Sequence, residues 1–130
     1  MMSGMILTMN NQPINVYGIP NCDTVKKARA WLTANGVAYE FHDFKKLAVP
    51  EAQIDDWLKQ IGWQQLVNRQ GTTWRALDAA VQTGVVDSAS AKRVILLNSS
   101  VVKRPVVHWR GGQITVGFHA SAWQALCSPA

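Results

Sequence analysis

The stretch that most constrains this chain is Val16-Tyr17-Gly18-Ile19-Pro20-Asn21-Cys22-Asp23-Thr24-Val25-Lys26-Lys27. Ile14 and Val16 open a short β-run. Gly18 and Pro20 end it, because glycine accepts unusual φ and proline cannot donate to a ladder. Asn21 is placed to cap a helix that starts with Thr24-Val25-Lys26-Lys27-Ala28. Cys22 falls at the helix start, where free amide N–H groups and the helix dipole stabilise a thiolate. The alternative is a small buried cysteine without chemistry. Its place directly after Pro-Asn, at a strand-to-helix turn, favours the reactive reading.

Around that stretch the chain reads as an ordered series of elements. Val25, Ala28, Trp31 and Leu32 share one helical stripe, which Asn35-Gly36 ends. Val37, Tyr39 and Phe41 then alternate with Ala38, Glu40 and His42, which predicts a strand over 37–42. Strand, helix and strand in about thirty residues make a βαβ unit, whose strands run parallel. Pro50 suits a first helical position, and Ile54, Trp57, Leu58 and Ile61 form the next apolar stripe, stopped by Gly62. A short helix follows from Trp63 and breaks at Asn68-Arg69-Gln70-Gly71. Thr72 or Thr73 is expected to cap a helix that carries Trp74, Leu77 and Val81 on one face and ends at Gly84. Asp87 or Ser88 caps another, with Ala91, Val94, Ile95 and Leu97 apolar.

Residues 50–98 therefore read as a helical insert. Extended structure returns over 101–108. Gly111-Gly112 then signals a hairpin between Val106–Trp109 and Ile114–Val116. The last helix, Ala120–Cys127, offers Trp123, Leu126 and Cys127. This order predicts an α/β fold of thioredoxin-like type, a βαβ unit plus a ββα unit in one sheet, with an inserted helical bundle. Residues 13–130 read as one domain, preceded by a disordered extension over 1–12.

Composition narrows the function classes. The 130 residues carry a formal charge of +5, with the basic residues scattered rather than in a run. That argues against a nucleic-acid tail and favours anionic substrates. Cys22 and Cys127 lie 105 positions apart, too few and too far apart in sequence to spell out a disulfide framework or a zinc motif. His42, His108 and His119 show no ligand spacing and read as structural, so no metal site is expected. Met1–Gln12 does not read as a signal peptide, and no apolar run approaches the ~20 residues of a membrane span. A free cysteine at a helix start fits a reducing, cytoplasmic location.

Three segments carry a resemblance: Tyr17-x-x-x-x-Cys22 opening a helix, Arg69-x-Gly71-Thr72-Thr73-Trp74-Arg75-x-Leu77, and Lys103-Arg104-Pro105-Val106. Together they resemble the arsenate reductase-like family, ArsC with its Spx and YffB branches, from about Ile14 to Leu126. Asn21-Cys22-Asp23-Thr24-x-Lys26-Lys27-Ala28 looks closest to the YffB-like branch. The resemblance implies a thioredoxin-like fold with an inserted helical bundle, a catalytic cysteine at Cys22, and an arginine at Arg104 before a cis proline. It also implies an oxidoreductase with no permanently bound cofactor, reduced by glutathione or a glutaredoxin, acting on a small anionic or disulfide substrate.

Departures from the family pattern shape the rest of the expectation. The first family arginine aligns on Asn68, with Arg69 beside it. The third falls near Phe118, and the histidine before the cysteine in arsenate reductases is here Gly18. The resemblance thus implies a weakened anion cage and little activity on arsenate. Val25 stands where Spx-type regulators carry a second cysteine. The leading expectation is a cytosolic reductase with a lone nucleophile, Cys22. Arg104, Arg69, Asn68 and the backbone N–H of Thr24 are candidates for holding the anion. Arg69 reads equally as a solvated turn, and Thr24 equally as a capping residue. The alternatives are a true arsenate reductase with a modified anion site, and a non-catalytic Spx-like transcriptional regulator that binds RNA polymerase.

Overall fold

The computed structural model describes residues 13–127, so the expected extension over 1–12 lies outside the described residues. The chain divides into two compact units. One holds the described part of Met1–Asp43 and Arg104–Ala130, and the other is Phe44–Lys103.

The first unit is built on a sheet. Strand β1 (Ile14–Gly18) buries Ile14, Val16 and Gly18 on one face, as period-two alternation requires. Helix α1 (Asp23–Ala34) buries Val25, Ala28 and Leu32. Asn35 Nδ2 donates to the Trp31 carbonyl at 2.8 Å, and Gly36 takes φ +67°, the left-handed turn that stops the helix. Strand β2 (Tyr39–Asp43) runs parallel to β1, with Tyr17 opposite His42. The expected strand over 37–42 thus starts two residues later and ends one later. Strand β3 (Val106–His108) is antiparallel to β1, and β4 (Ile114–Val116) is antiparallel to β3.

The sheet order among the described residues is β2-β1-β3-β4. With helix α7 (Ala120–Cys127) it makes the thioredoxin-like arrangement expected from the element order. The core of this unit joins Ile14, Val16, Ala28, Leu32, Val107, Trp109 and Trp123. Trp31, Trp109 and Phe118 all meet the Trp123 ring edge-on, with centroids 4.8–5.8 Å apart.

The second unit is helical: α2 (Glu51–Ile61), α3 (Trp63–Leu66), α4 (Thr72–Arg75), α5 (Ala79–Thr83) and α6 (Ser88–Leu97), followed by a 3-10 turn at Ser99–Val101. Helix α2 packs on α6, burying Ile54, Trp57 and Leu58 and, from α6, Ala91, Val94 and Ile95. Lys92 joins the same two helices by pairing with Asp55 at 2.8 Å and Glu51 at 3.5 Å.

Several expectations need correction. The helix expected between Thr72 and Gly84 is two short helices. Asp78 turns to ψ 145°, and Gln82 Nε2 donates to the Trp74 and Leu77 carbonyls that a continuous helix would have used. Val81 therefore leaves the face of Trp74 and is exposed. Leu97, read as apolar with Ala91, Val94 and Ile95, is 89 % exposed, because it lies roughly a third of a turn round α6 from the centre of their buried stripe. The 101–108 stretch is extended in a ladder only over β3. Pro50 is an N-cap residue, not the first helical one.

Candidate functional site

The loop Ile19–Asn21 carries the chain from the end of β1 to α1. Cys22, not Asn21, is the N-cap, with φ −136° and ψ 126°, and no side chain caps the helix. The Cys22 carbonyl accepts the first helical bond, from Lys26 N–H at 2.9 Å. Its thiol is free and half-exposed. The Cys22 side chain makes no capping hydrogen bond to the first-turn amides at this helix end. Thr24 lies exposed in that turn, where its backbone N–H belongs to the same set, and Asp23 is exposed beside it.

Gly18 explains how the loop comes so close to the helix. A Cβ at Gly18 would meet Val25 Cγ2 at 3.0 Å and Phe41 Cε1 at 3.5 Å. Glycine at the end of β1 lets α1 seat its fully buried Val25 directly behind the loop.

Arg104 enters from β3. The register sets Val106 opposite Tyr17, so the residues before β3 lie at the Gly18 end of β1. The Arg104–Pro105 bond is cis, as the resemblance implied. The Pro105 carbonyl accepts Gly117 N–H at 2.9 Å, which brings the end of β4 and the start of α7 to that same end. Arg104 is half-buried, with its Nε inside the protein. One end of the sheet therefore carries the Cys22 thiol, the start of α1 and the backbone of Arg104.

The remaining candidates, Arg69 and Asn68, belong to the second unit. The Arg69 guanidinium is exposed and lies 5.6 Å from the Trp63 ring centroid. Asn68 is engaged locally. Its N–H donates to the Val101 carbonyl at 2.8 Å, its Oδ1 accepts Gln70 N–H at 3.2 Å, and its carbonyl accepts Gly71 N–H at 3.2 Å. It holds a turn together, the work of an Asx residue.

Cys127 sits at the other end of the first unit. It packs beside the aromatic core. Burial pushes its thiol pKa up, partly offset by the charge of Arg110, which lies at the β3–β4 turn. That turn is the far end of β3 from Arg104 and Cys22. A disulfide needs Cα atoms within ~7 Å, and the length of β3 separates the two ends.

Residue-by-residue reading of the sequence did not link His42 with His108. The structure joins them through Tyr17, whose ring centroid is 4.5 Å from that of His42 and 4.9 Å from that of His108. His42 Nε2 is 2.9 Å from Asn15 Oδ1. Burial, with Glu40 nearby, pushes the Tyr17 phenol pKa up and keeps it neutral. The signal was the strand register, since period-two alternation puts Asn15, Tyr17, His42 and His108 on one face.

The ArsC family model matches residues 17–126. The chain belongs to the ArsC family. It is 42% identical to the YFFB protein, whose structure superposes with a TM-score of 0.83 over 88% of this chain and 99% of that one. An arsenate reductase (ArsC) related protein from Brucella melitensis is 46% identical, with a TM-score of 0.70 over 88% and 93% of the two chains. An uncharacterized protein of Haemophilus influenzae is 38% identical over 112 residues, 86% of this chain and 96% of its own length. The fold of this ArsC-family member is that of an arsenate reductase-like thiol oxidoreductase. No helix among the described residues is long and apolar enough to cross a membrane.

Proposed function

We propose that this ArsC-family protein is a thiol-dependent reductase with Cys22 as its lone nucleophile and an external thiol, glutathione or a glutaredoxin, as its reductant. The observation that carries the reading is a half-exposed free thiol at an uncapped helix start, on the sheet end that Arg104 also reaches. In the first step the Cys22 thiolate attacks the glutathione sulfur of a glutathione mixed disulfide. The Cys22–sulfur bond forms, the old S–S bond breaks, and the other partner leaves as a thiolate. A glutathione thiolate then attacks the adduct, releasing glutathione disulfide and returning Cys22 as thiolate. One added glutathione thiolate is consumed, the substrate leaves as a thiolate, and the disulfide bond passes from the substrate to glutathione disulfide, so atoms and electrons balance. Arg104 and the amides near Thr24 hold the carboxylates of the tripeptide. The position of Cys127 at the far end of α7 from the Gly117–Pro105 contact supports an external rather than an internal resolving thiol. The chemistry requires a compartment that keeps thiols reduced, and we assign it to the cytoplasm.

Mass spectrometry after incubation with oxidised glutathione tests this reading. One adduct on Cys22 is expected. It persists in Cys127→Ser, disappears in Cys22→Ser, and is removed by reduced glutathione. An unmodified Cys22, or a Cys22–Cys127 disulfide, overturns the proposal.

A further inference from the structure

We propose that β2 is a self-pairing edge through which two copies of this chain join in a weak, two-fold symmetric dimer. The sheet order leaves β2 outermost, with β1 on one side only among the described residues. Ile14 N–H donates to the Ala38 carbonyl at 3.1 Å, and Ile14 is opposite Tyr39. In a parallel ladder this fixes the alternation: Ala38, Glu40 and His42 turn their backbone groups to β1, and Tyr39 and Phe41 turn theirs outward. An outward row of N–H and C=O groups is a template for another strand.

The side chains choose the occupant. Antiparallel pairing about a dyad at Phe41 lets the two Phe41 residues exchange both backbone bonds and sets Glu40 opposite His42 of the second copy. That is a non-hydrogen-bonded position, where side chains approach most closely. The contact is repeated by symmetry, as an isologous interface demands. Moving the dyad to Glu40 would set two carboxylates against each other, and moving it to His42 would set two imidazoles together. Of these three registers only the one centred on Phe41 sets unlike polar groups against each other at the closest approach. On the other face Arg29 lies over the half-exposed Phe41 at 4.1 Å, and its Nε donates to the Tyr39 hydroxyl at 3.1 Å. In the Phe41 register Tyr39 and its bound arginine face the acidic Asp43 of the second copy. A five-residue edge buries too little surface for an obligate dimer, so the association is concentration-dependent.

Sedimentation velocity over a concentration series, with amide hydrogen exchange read residue by residue, tests this. The expected result is a dimer with a dissociation constant of roughly 10 µM to 1 mM. The Tyr39 and Phe41 amides should exchange more slowly as concentration rises, while the Glu40 and His42 amides are protected at every concentration. Glu40→Lys changes an exposed side chain, and it should weaken the dimer by roughly tenfold because symmetry counts the pair twice. Tyr39→Pro removes an outward N–H and no inward one, and it should abolish the dimer. A chain that stays monomeric to ~1 mM, or a dimer in which the Tyr39 and Phe41 amides exchange at the monomer rate, overturns the proposal. Neither outcome bears on the chemistry of Cys22.

Discussion

A Cβ on Gly18 would stand 3.0 Å from Val25 Cγ2, closer than the packing allows without movement. The contact joins the last residue of the strand before the Cys22 loop to a buried residue in the first turn of α1. Gly18→Ala is therefore expected to destabilise the protein by about 1–2 kcal/mol through overpacking and to change the alkylation rate of Cys22. Val25→Ala opens the space. The double variant should lose less stability than the two single changes added together, as a urea-denaturation cycle will show.

Arg104 is predicted to serve binding rather than folding chemistry. Arg104→Ala should slow formation of the glutathione adduct on Cys22 by roughly 10- to 100-fold, the worth of a charge-assisted contact. The rate with a small uncharged disulfide should change much less. Stopped-flow or mass-resolved kinetics with the two reagents makes the comparison. Equal slowing with both reagents contradicts an anion-binding role.

Ser90 is the hub of a capping box. Its backbone N–H donates to Asp87 Oδ1 at 2.9 Å, its hydroxyl donates to the same atom at 2.7 Å, and the hydroxyl oxygen accepts Val86 and Asp87 N–H. Ser90→Ala leaves those two amides without their acceptor and is expected to cost about 1–3 kcal/mol. The bonds from Ser90 also hold the Asp87 carboxyl below its usual range. The stability they confer is present above the unfolded carboxyl value of ~3.9 and is lost as pH falls through the lower folded value. Urea midpoints between pH 5 and pH 2 should fall less steeply in Ser90→Ala than in the wild type.

Cys127 should be the slow thiol. Burial raises its pKa, so less of it is thiolate at any given pH. Its neutral form is favoured in the fold, so its contribution to stability is complete below the ordinary thiol value and is lost as pH rises past it and through the raised folded value. Iodoacetamide at pH 8 should label Cys22 first, with Cys127 following only as pH rises or urea opens the fold. Peptide mapping of a time course reads the order directly, and prior labelling of Cys127 contradicts it.

Much of this protein was determined by local features of the sequence. The apolar stripe Val25, Ala28 and Leu32, the Asn35-Gly36 stop, the alternation in β1 and the Gly111-Gly112 hairpin each act within a few residues, where periodicity and backbone freedom decide the conformation. The place of Cys22 at a helix start followed from the same signals. Other features had no local signature. Between Thr72 and Gly84 the apolar spacing suits one helix, and the Gln82 side chain decides for two. Leu97 is as apolar as Val94 and Ile95 in the same turn, yet it is exposed while they are buried. Only the tertiary structure set β3 against β1, which carries Arg104 to the Cys22 end of the sheet and leaves Cys127 near Arg110 at the other. Only strand register stacked Tyr17 between two histidines 66 positions apart in sequence. Pairing between distant strands depends on the summed burial of whole faces, and a one-residue shift would turn every side chain to the opposite side. No single stretch of sequence contains that sum.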